Sequence, residues 1–260
     1  MNLNEDQIER YSRHIILQDV GGVGQEKILN AKVLIVGTGG LGAPAALYLA
    51  AAGVGTLGLI DGDVVDLSNL QRQVIHFTPD VGKAKVLSAK EKISQINPDV
   101  KVNAIQDLFR ADNALDIIKD YDFVIDGTDN FPAKFLVNDA CVMGKKPFSH
   151  GGILRFDGQT MTYVPGSASY RCVFKEPPPP NAVPSCSQAG VFGAIAGMLG
   201  TIQAAEALKF IVGKGELLTN RLLIFDAMKM NFRTVKVKPD PKRLDIKQLH
   251  DFEQKACDLK

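Results

Sequence analysis

Residues 32–61 read KVLIVGTGGLGAPAALYLAAAGVGTLGLID, and no other stretch restricts the fold as strongly. An apolar run of strand type, 32–36, enters Gly37-Thr38-Gly39-Gly40-Leu41-Gly42. A helical segment, 42–52, comes next, and a second apolar run, 56–60, ends on Asp61. A strand–helix–strand unit of this length predicts a right-handed parallel crossover. Glycines at 37, 39 and 42 permit a tight turn and close backbone approach, while the next helix offers its unpaired N–H groups to a phosphate. Asp61 lies 19 residues beyond Gly42, where an acid accepts hydrogen bonds from a ribose. The stretch therefore predicts nucleotide binding; a merely tight strand-to-helix turn is the plainer alternative.

The alternation continues. Helix 81–96 is stopped by Asn97-Pro98, and after it come strand 100–105, helix 112–119, strand 123–126, helix 133–143 and a short strand 147–149. This order predicts an α/β fold, a Rossmann-like doubly wound and mostly parallel sheet. Segments 158–164, 222–225 and 232–237 would extend it with antiparallel strands. At the N-terminus a helix over 5–17, a glycine-bearing loop DVGGVG and a short helix are expected to form a helical arm within 1–30. Four consecutive prolines, 177–180, forbid regular pairing, so about 171–188 reads as an exposed mobile loop. No internal repeat is visible, and 1–260 reads as one domain.

Composition narrows the partners. With 45% hydrophobic and 23% charged residues the chain is of ordinary globular type. Thirty basic and 29 acidic side chains leave a net charge of +1, which asks for neither nucleic acid nor an anionic membrane. The first 20 residues lack the pattern of a signal peptide. Cys141, Cys172, Cys186 and Cys257 are too dispersed for a disulfide framework. A cytoplasmic protein is expected. The stretch 185–205 is long enough to cross a bilayer and has Gly193 and Gly197 at GxxxG spacing. Yet it holds Gln188 and Gln203 and runs on into Glu206 and Lys209, as suits a buried or subunit-interface helix.

The segment after the loop decides which nucleotide is bound: GDVVDLSNLQRQVIHFTPDVGKAKVLSAKEKI. Asp63 and Asp66 add acid beside Asp61, and Asn69, Arg72, Lys83 and Lys85 bring donors and positive charge. An NAD-dependent oxidoreductase needs an apolar nicotinamide pocket and has little use for this cluster. A triphosphate and its divalent metal fit it. The fourth strand ends in DGTDN, 126–130. Asp129 could bind Mg²⁺ at this edge or cap the next helix; beside a basic phosphate site the metal reading is preferred.

Taken together, ERYSRHIIL, GTGGLG, LIDGDVVDLSNLQRQ, VGKAKV, DGTDN, CSQAGVFG and LIFDAMKMNFR resemble, in order and over nearly the whole chain, the ubiquitin-activating-enzyme-like adenylyltransferases of the MoeB/ThiF/HesA family. The resemblance implies a homodimer that uses ATP and Mg²⁺ to attach AMP to the C-terminal Gly-Gly carboxylate of a small ubiquitin-fold sulfur carrier protein, releasing pyrophosphate. It implies that Gly37, Gly39, Gly40 and Gly42 line the nucleotide, with Asp61 on the ribose and Asp63 beside it. Asn69, Arg72 and Lys85 would meet phosphates, Asp129 would bind Mg²⁺, and Arg13 would reach into the partner subunit's site. From the residues alone, Arg13 reads as a solvated helix position. Adenylation of a small molecule or a tRNA base shares the same nucleotide logic, and a non-catalytic partner subunit would be expected to have lost some of these residues.

The chain also departs from that pattern. Many relatives hold a structural zinc with two Cys-x-x-Cys pairs, whereas only Cys172 and Cys257 stand at matching places here. Tetrahedral zinc needs four ligands, so zinc is expected to be absent. Cys186 matches a cysteine that in some relatives forms a sulfur linkage to the carrier; a reactive thiol and a small buried residue both stay open. For His150, in FSHGG, a core hydrogen bond is the expectation and a substrate contact the alternative.

Overall fold

A long apolar run such as KVLIV or FVID can be buried on both faces only inside a parallel sheet covered by helices. The computed structural model, which describes residues 3–179 and 189–251, places both runs there. Strands β1 (Lys32–Val36), β2 (Thr56–Ile60), β3 (Lys101–Ile105), β4 (Phe123–Asp126) and β5 (Phe148–Leu154) run parallel. Strands β6 (Asp157–Tyr163), β7 (Arg221–Asp226) and β8 (Asn231–Lys236) continue the same sheet in antiparallel fashion. The order is β3-β2-β1-β4-β5-β6-β7-β8. The expected mostly parallel sheet with an antiparallel extension is thus found. The strand order reverses between β1 and β4, whose last residues, Val36 and Asp126, lie side by side. That is the switch point outside which ligands bind in open α/β sheets.

Alternate residues of β1 feed two cores. Val33 and Ile35 pack with Ala46, Leu49, Ala204 and Ala207 on one face; Leu34 and Val36 meet Phe135, Val137 and Ala140 on the other. The first face is covered by α3 (Gly21–Asn30), α4 (Gly42–Ala51), α5 (Lys85–Ile96) and a twenty-residue helix, Gly193–Val212. The second is covered by α6 (Ala114–Ile118) and α7 (Phe131–Met143), with the turn α8 (Tyr170–Val173) beside them. Helix Gly193–Val212, here α9, has the length and apolar character of a membrane span, but half of its apolar window is buried within the molecule. Its small residues permit direct backbone contact. A Cβ on Gly200 would lie 2.2 Å from the Leu41 carbonyl at the start of α4. Its polar residues are used inside: Glu206 accepts from Thr162 Oγ1 and the Leu218 N–H.

The N-terminal arm differs from the expectation. Instead of one helix over 5–17 there are two, α1 (Glu5–Arg10) and α2 (Ser12–Ile15), interrupted at Tyr11. Tyr11 is buried, lies against Gly53 and accepts a hydrogen bond from Asn97 Nδ2 at 2.8 Å. Docking that ring stops the helix. The glycines of DVGGVG are not a loop either, since α3 begins at Gly21 and carries Gly22 and Gly24 buried. Helix 81–96 begins later, at Lys85, after a single 3₁₀ turn Thr78–Asp80. The strand expected over 147–149 is longer, because β5 runs on to Leu154 to pair with β6. The proline-rich loop is only partly covered: its expected first residues form α8, and 180–188, with Cys186, lie outside the described residues. Cys257 lies outside them as well.

Candidate nucleotide site at the carboxyl edge of the sheet

Gly37, Gly42 and Gly127 meet at the switch point with no room for side chains. A Cβ on Gly42 would lie 1.9 Å from the Gly37 carbonyl oxygen, one on Gly127 2.6 Å from it, and one on Gly37 2.9 Å from the Gly127 oxygen. Gly37 also has φ 87°, a region L side chains avoid. The glycine loop is therefore wedged against the DGTDN loop. Gly39 and Gly40 remain partly open and face the crossover segment. Gln73 Nε2 is 3.5 Å from a Cβ position on Gly39, and Arg72 Cγ is 3.5 Å from one on Gly40.

The buried Thr38 is gripped from both sides. Its N–H and hydroxyl both donate to Asp61 Oδ2, at 2.8 and 3.0 Å. Its carbonyl accepts from His76 Nε2 at 3.1 Å, while His76 Nδ1 meets Ser88 Oγ at 2.9 Å. Because a carbonyl only accepts, this contact assigns a proton to Nε2, while the Ser88 hydroxyl is shared between Nδ1 and the Asp80 carboxylate. Burial lowers the His76 pKa, so the ring is neutral at pH 7. Asp61 has a second task besides any ribose: it shapes the glycine loop.

The crossover presents its charges in pairs. Lys85, with only 6% of its side chain exposed, sits at the first residue of α5 and holds Asp63 Oδ2 at 2.8 Å. Asp66 caps the 3₁₀ turn Leu67–Asn69, accepting from the Ser68 hydroxyl and N–H, which lower its pKa. Asn69 Nδ2 donates to Ser68 Oγ, and Arg72 Nη1 to the Ser68 carbonyl at 3.1 Å. Arg72 thus lies against Gly40, and Lys85 reaches the loop through Asp63, whose N–H donates to Asp61 Oδ1.

On the other side, Asn130 caps α7 through the Ala133 N–H. The cap role open to Asp129 belongs to its neighbour. Asp129 is exposed and makes no hydrogen bond or ion pair among the described residues. Beneath it lies a buried polar cluster. Asp126 accepts from Thr128 Oγ1 at 2.6 Å and His150 Nδ1 at 2.9 Å, and Lys134 Nζ lies 3.3 Å from it. Gln203 Nε2 bridges the carbonyls of Asp126 and Ser149, both at 2.9 Å. Burial would raise the Asp126 pKa, but the Lys134 charge and the His150 hydrogen bond outweigh it and hold the carboxyl down at about 2. Burial keeps His150 neutral against the pull of that carboxylate. His150 is 1% exposed and packs against Tyr170, the rings tilted by 42° with centroids 4.3 Å apart. The core hydrogen bond expected for it is present.

Gly37, Gly39, Gly40, Gly42, Asp61, Asp63, Asn69, Arg72 and Lys85 are therefore gathered at one edge, with Asp129 two residues from Gly127. Arg13 is not among them. It is exposed on α2, next to the Tyr11 that packs beyond the C-terminal end of α4, whereas the glycine loop enters the N-terminal end. A ten-residue helix separates the two by about 15 Å. Gln73, His76, Lys134 and Gln203 also border these loops, and of the four only Gln73 falls in a stretch that carries the family resemblance. The usable signal is a lysine inside the otherwise uncharged FPAKFLVN stretch, since a charge placed there needs a buried partner.

The sequence pattern of the ThiF family matches residues 11–245. The chain belongs to the ThiF family. This ThiF-family chain is 48% identical to the probable adenylyltransferase/sulfurtransferase MoeZ of Mycobacterium tuberculosis over 97% of its own length, but spans only 66% of that protein. It is 46% identical to the SAMP-activating enzyme E1 of Haloferax volcanii, covering 93% of this chain and 89% of that one. It is 45% identical to the sulfur carrier protein adenylyltransferase of Thermus thermophilus, covering 93% and 92%. Among solved structures, E. coli MccB with ATP superimposes with a TM-score of 0.78 at 26% identity, over 92% of this chain and 73% of that one.

Proposed function

We propose that the chain adenylates the C-terminal carboxylate of a small ubiquitin-fold sulfur carrier protein, using ATP and Mg²⁺ and releasing pyrophosphate. The observation that carries this reading is the arrangement at the switch point. A loop without side chains at 37, 39, 40 and 42 is flanked on one side by Arg72 and Lys85 and on the other by Asp129, which has no partner among the described residues. The relatives from Haloferax and Thermus, spanned over about nine tenths of their length, support the choice of substrate by their names.

In this reading Gly39 and Gly40 let the phosphates approach the backbone, and Asp61 offers a remaining lone pair to the ribose. Asp63, held by Lys85, lines the same opening. Asn69, Arg72 and Lys85 hold the phosphates. A carrier carboxylate, ionised at neutral pH, attacks the α-phosphorus; the new C–O–P bond forms as the bond to pyrophosphate breaks. No general base is required. What the residues supply is in-line placement and neutralisation of the charge that builds on the α-phosphate and leaving group.

Asp129 fits one protein ligand to Mg²⁺. Mg²⁺ held together with substrate phosphates takes only one or two carboxylates. Among the described residues no group of three or more His, Cys, Asp or Glu forms a cage of its own. When bound, the ion would neutralise phosphate charge. Arg13, displaced from its own chain's site, is read as serving the site of a second copy in a homodimer. The test is ATP–pyrophosphate exchange with candidate carriers ending in Gly-Gly, against a carrier lacking the last glycine. Exchange that needs the intact carrier is expected; exchange with neither would sink the reading.

A further inference from the structure

Asp129 stands on a short exposed loop and is held by nothing on its own side chain among the described residues. The loop itself is held from beneath. Lys134, near the start of α7 and 7% exposed, turns its ammonium under the loop. It donates to the Thr128 carbonyl at 2.7 Å, to the Gly151 carbonyl, and to the Asp126 carboxylate at 3.3 Å. An ammonium has three N–H donors, and each finds a different acceptor. One of these acceptors, the Thr128 carbonyl, belongs to the peptide unit that carries the Asp129 N–H.

The other contacts make a rigid frame of that one. Gly151 lies on β5, where a Cβ would meet Gln203 at 2.7 Å, so the carbonyl cannot shift freely. The Asp126 carboxylate is fixed in turn by Thr128 and His150. Gly127, between Asp126 and Thr128, touches Gly37 of the glycine loop. A tilt of the Thr128–Asp129 peptide would therefore move the carboxylate relative to the loop that faces the phosphates. A buried ion pair is a poor device for stability alone, since apolar residues of similar volume serve as well or better. Here the lysine has a second product: the aim of one exposed acid.

We infer that Lys134 is a positioning residue for the metal–nucleotide site, setting the orientation of Asp129 through the Thr128 carbonyl. The inference rests on the reading of Asp129 as a Mg²⁺ ligand. It predicts a defect specific to the metal, because the contacts to ribose and phosphate on the Arg72 side do not pass through Lys134.

The full chain serves for the test, as wild type, Lys134→Met and the double variant Asp126→Asn/Lys134→Met. The double variant leaves no lone charge in the core and decides the matter where the single one does not fold. Calorimetry measures ATP affinity with and without Mg²⁺, and Mn²⁺ paramagnetic resonance measures ion binding in the presence of ATP. The half-saturating metal concentration is expected to rise about tenfold or more, as when the outer partners of a metal ligand are removed. Metal-free ATP affinity is expected to stay unchanged, and Asp129→Asn should show the same pattern more strongly. A folded double variant that binds Mn²⁺ with ATP as wild type does would overturn the inference. So would an equal loss with and without metal. Wild type that binds Mg²⁺–ATP but gives no exchange with any carrier refutes the carrier reading and leaves this inference standing. Wild type whose ATP affinity ignores metal refutes the role of Asp129 and this inference together.

Discussion

The glycine loop and the turns between elements handle left-handed backbone differently, although both halves of the sheet contain such turns. In the parallel half Gly37 adopts positive φ with a backbone oxygen pressed where its side chain would be. In turns, Lys145 before β5 and Arg155, Asn220 and Met230 in the antiparallel half adopt φ of 50–57° with ordinary side chains. The first half is wedged and buried to the last residue of β1 and β4. The second ends on β8, exposed along its whole length. A closed half suits chemistry that depends on fixed charges. An open half suits contact with something outside the fold.

The largest effect should come from breaking the closed half at its chemistry. Arg72→Ala should reduce carrier-dependent ATP–pyrophosphate exchange by about 10²-fold or more. The guanidinium makes one backbone contact at the surface of the crossover, so the melting temperature should barely move. Exchange at the wild-type rate would refute the phosphate role. Breaking the same half at its wedge should act on stability instead. Gly42→Ala puts a methyl within 1.9 Å of a carbonyl oxygen and should cost about 1–3 kcal/mol or more, read from denaturant midpoints. A neutral result would mean that the two loops part easily.

The buried cluster gives the closed half a pH signature. The Asp126 carboxyl is held at about 2 in the folded chain against about 4 when unfolded. Its contribution, about 2 kcal/mol, is full above the unfolded value and is lost as pH falls from about 4 through about 2. His76 and His150, both lowered by burial, add the same sign at higher pH, because unfolding frees imidazoles that take up protons. Stability should fall continuously below about pH 6.5. The Asp126→Asn/Lys134→Met variant should show a flatter fall below pH 4. An unchanged slope would remove Asp126 as the source.

Much of this is legible in the sequence where local chemistry is self-contained. The parallel strands announce themselves as uncharged runs, and the glycine loop with Asp61 by its spacing. The antiparallel extension can be placed because its segments alternate weakly and lie around the last long helix. What escapes depends on contacts distant in sequence. Tyr11 breaks the first helix because Gly53 and Asn97 receive it, and no periodicity within 5–17 reports that. Lys134 stands out only as a charge in an uncharged stretch, and its acceptors on β4 and β5 come from segments distant from it. Asp129 taken alone reads as a cap and only beside a phosphate site as a metal ligand, and the cap position is seen to belong to Asn130. Gly127 looks like part of a motif, whereas its role is to leave space for Gly37.

The smallest effect is expected in the open half, at the β7–β8 turn. Met228 and Met230 are 68% and 63% exposed, and Met230 bears φ of 50°. Asparagine tolerates that conformation better than methionine, because its short polar side chain bonds locally. Met230→Asn should therefore leave stability unchanged or raise it by less than about 1 kcal/mol. Met228→Ser should fall within about 0.5 kcal/mol of wild type. The sign at Met230 is the informative part. A chain that gains stability there carries an apolar side chain at a turn where folding does not ask for one, which marks the hairpin tip as a surface kept for contact. A loss of about 1 kcal/mol or more, the scale of a buried methylene, would show instead that the methionine packs as part of the fold. The open half would then be closed like the other, and the contrast between them would fail.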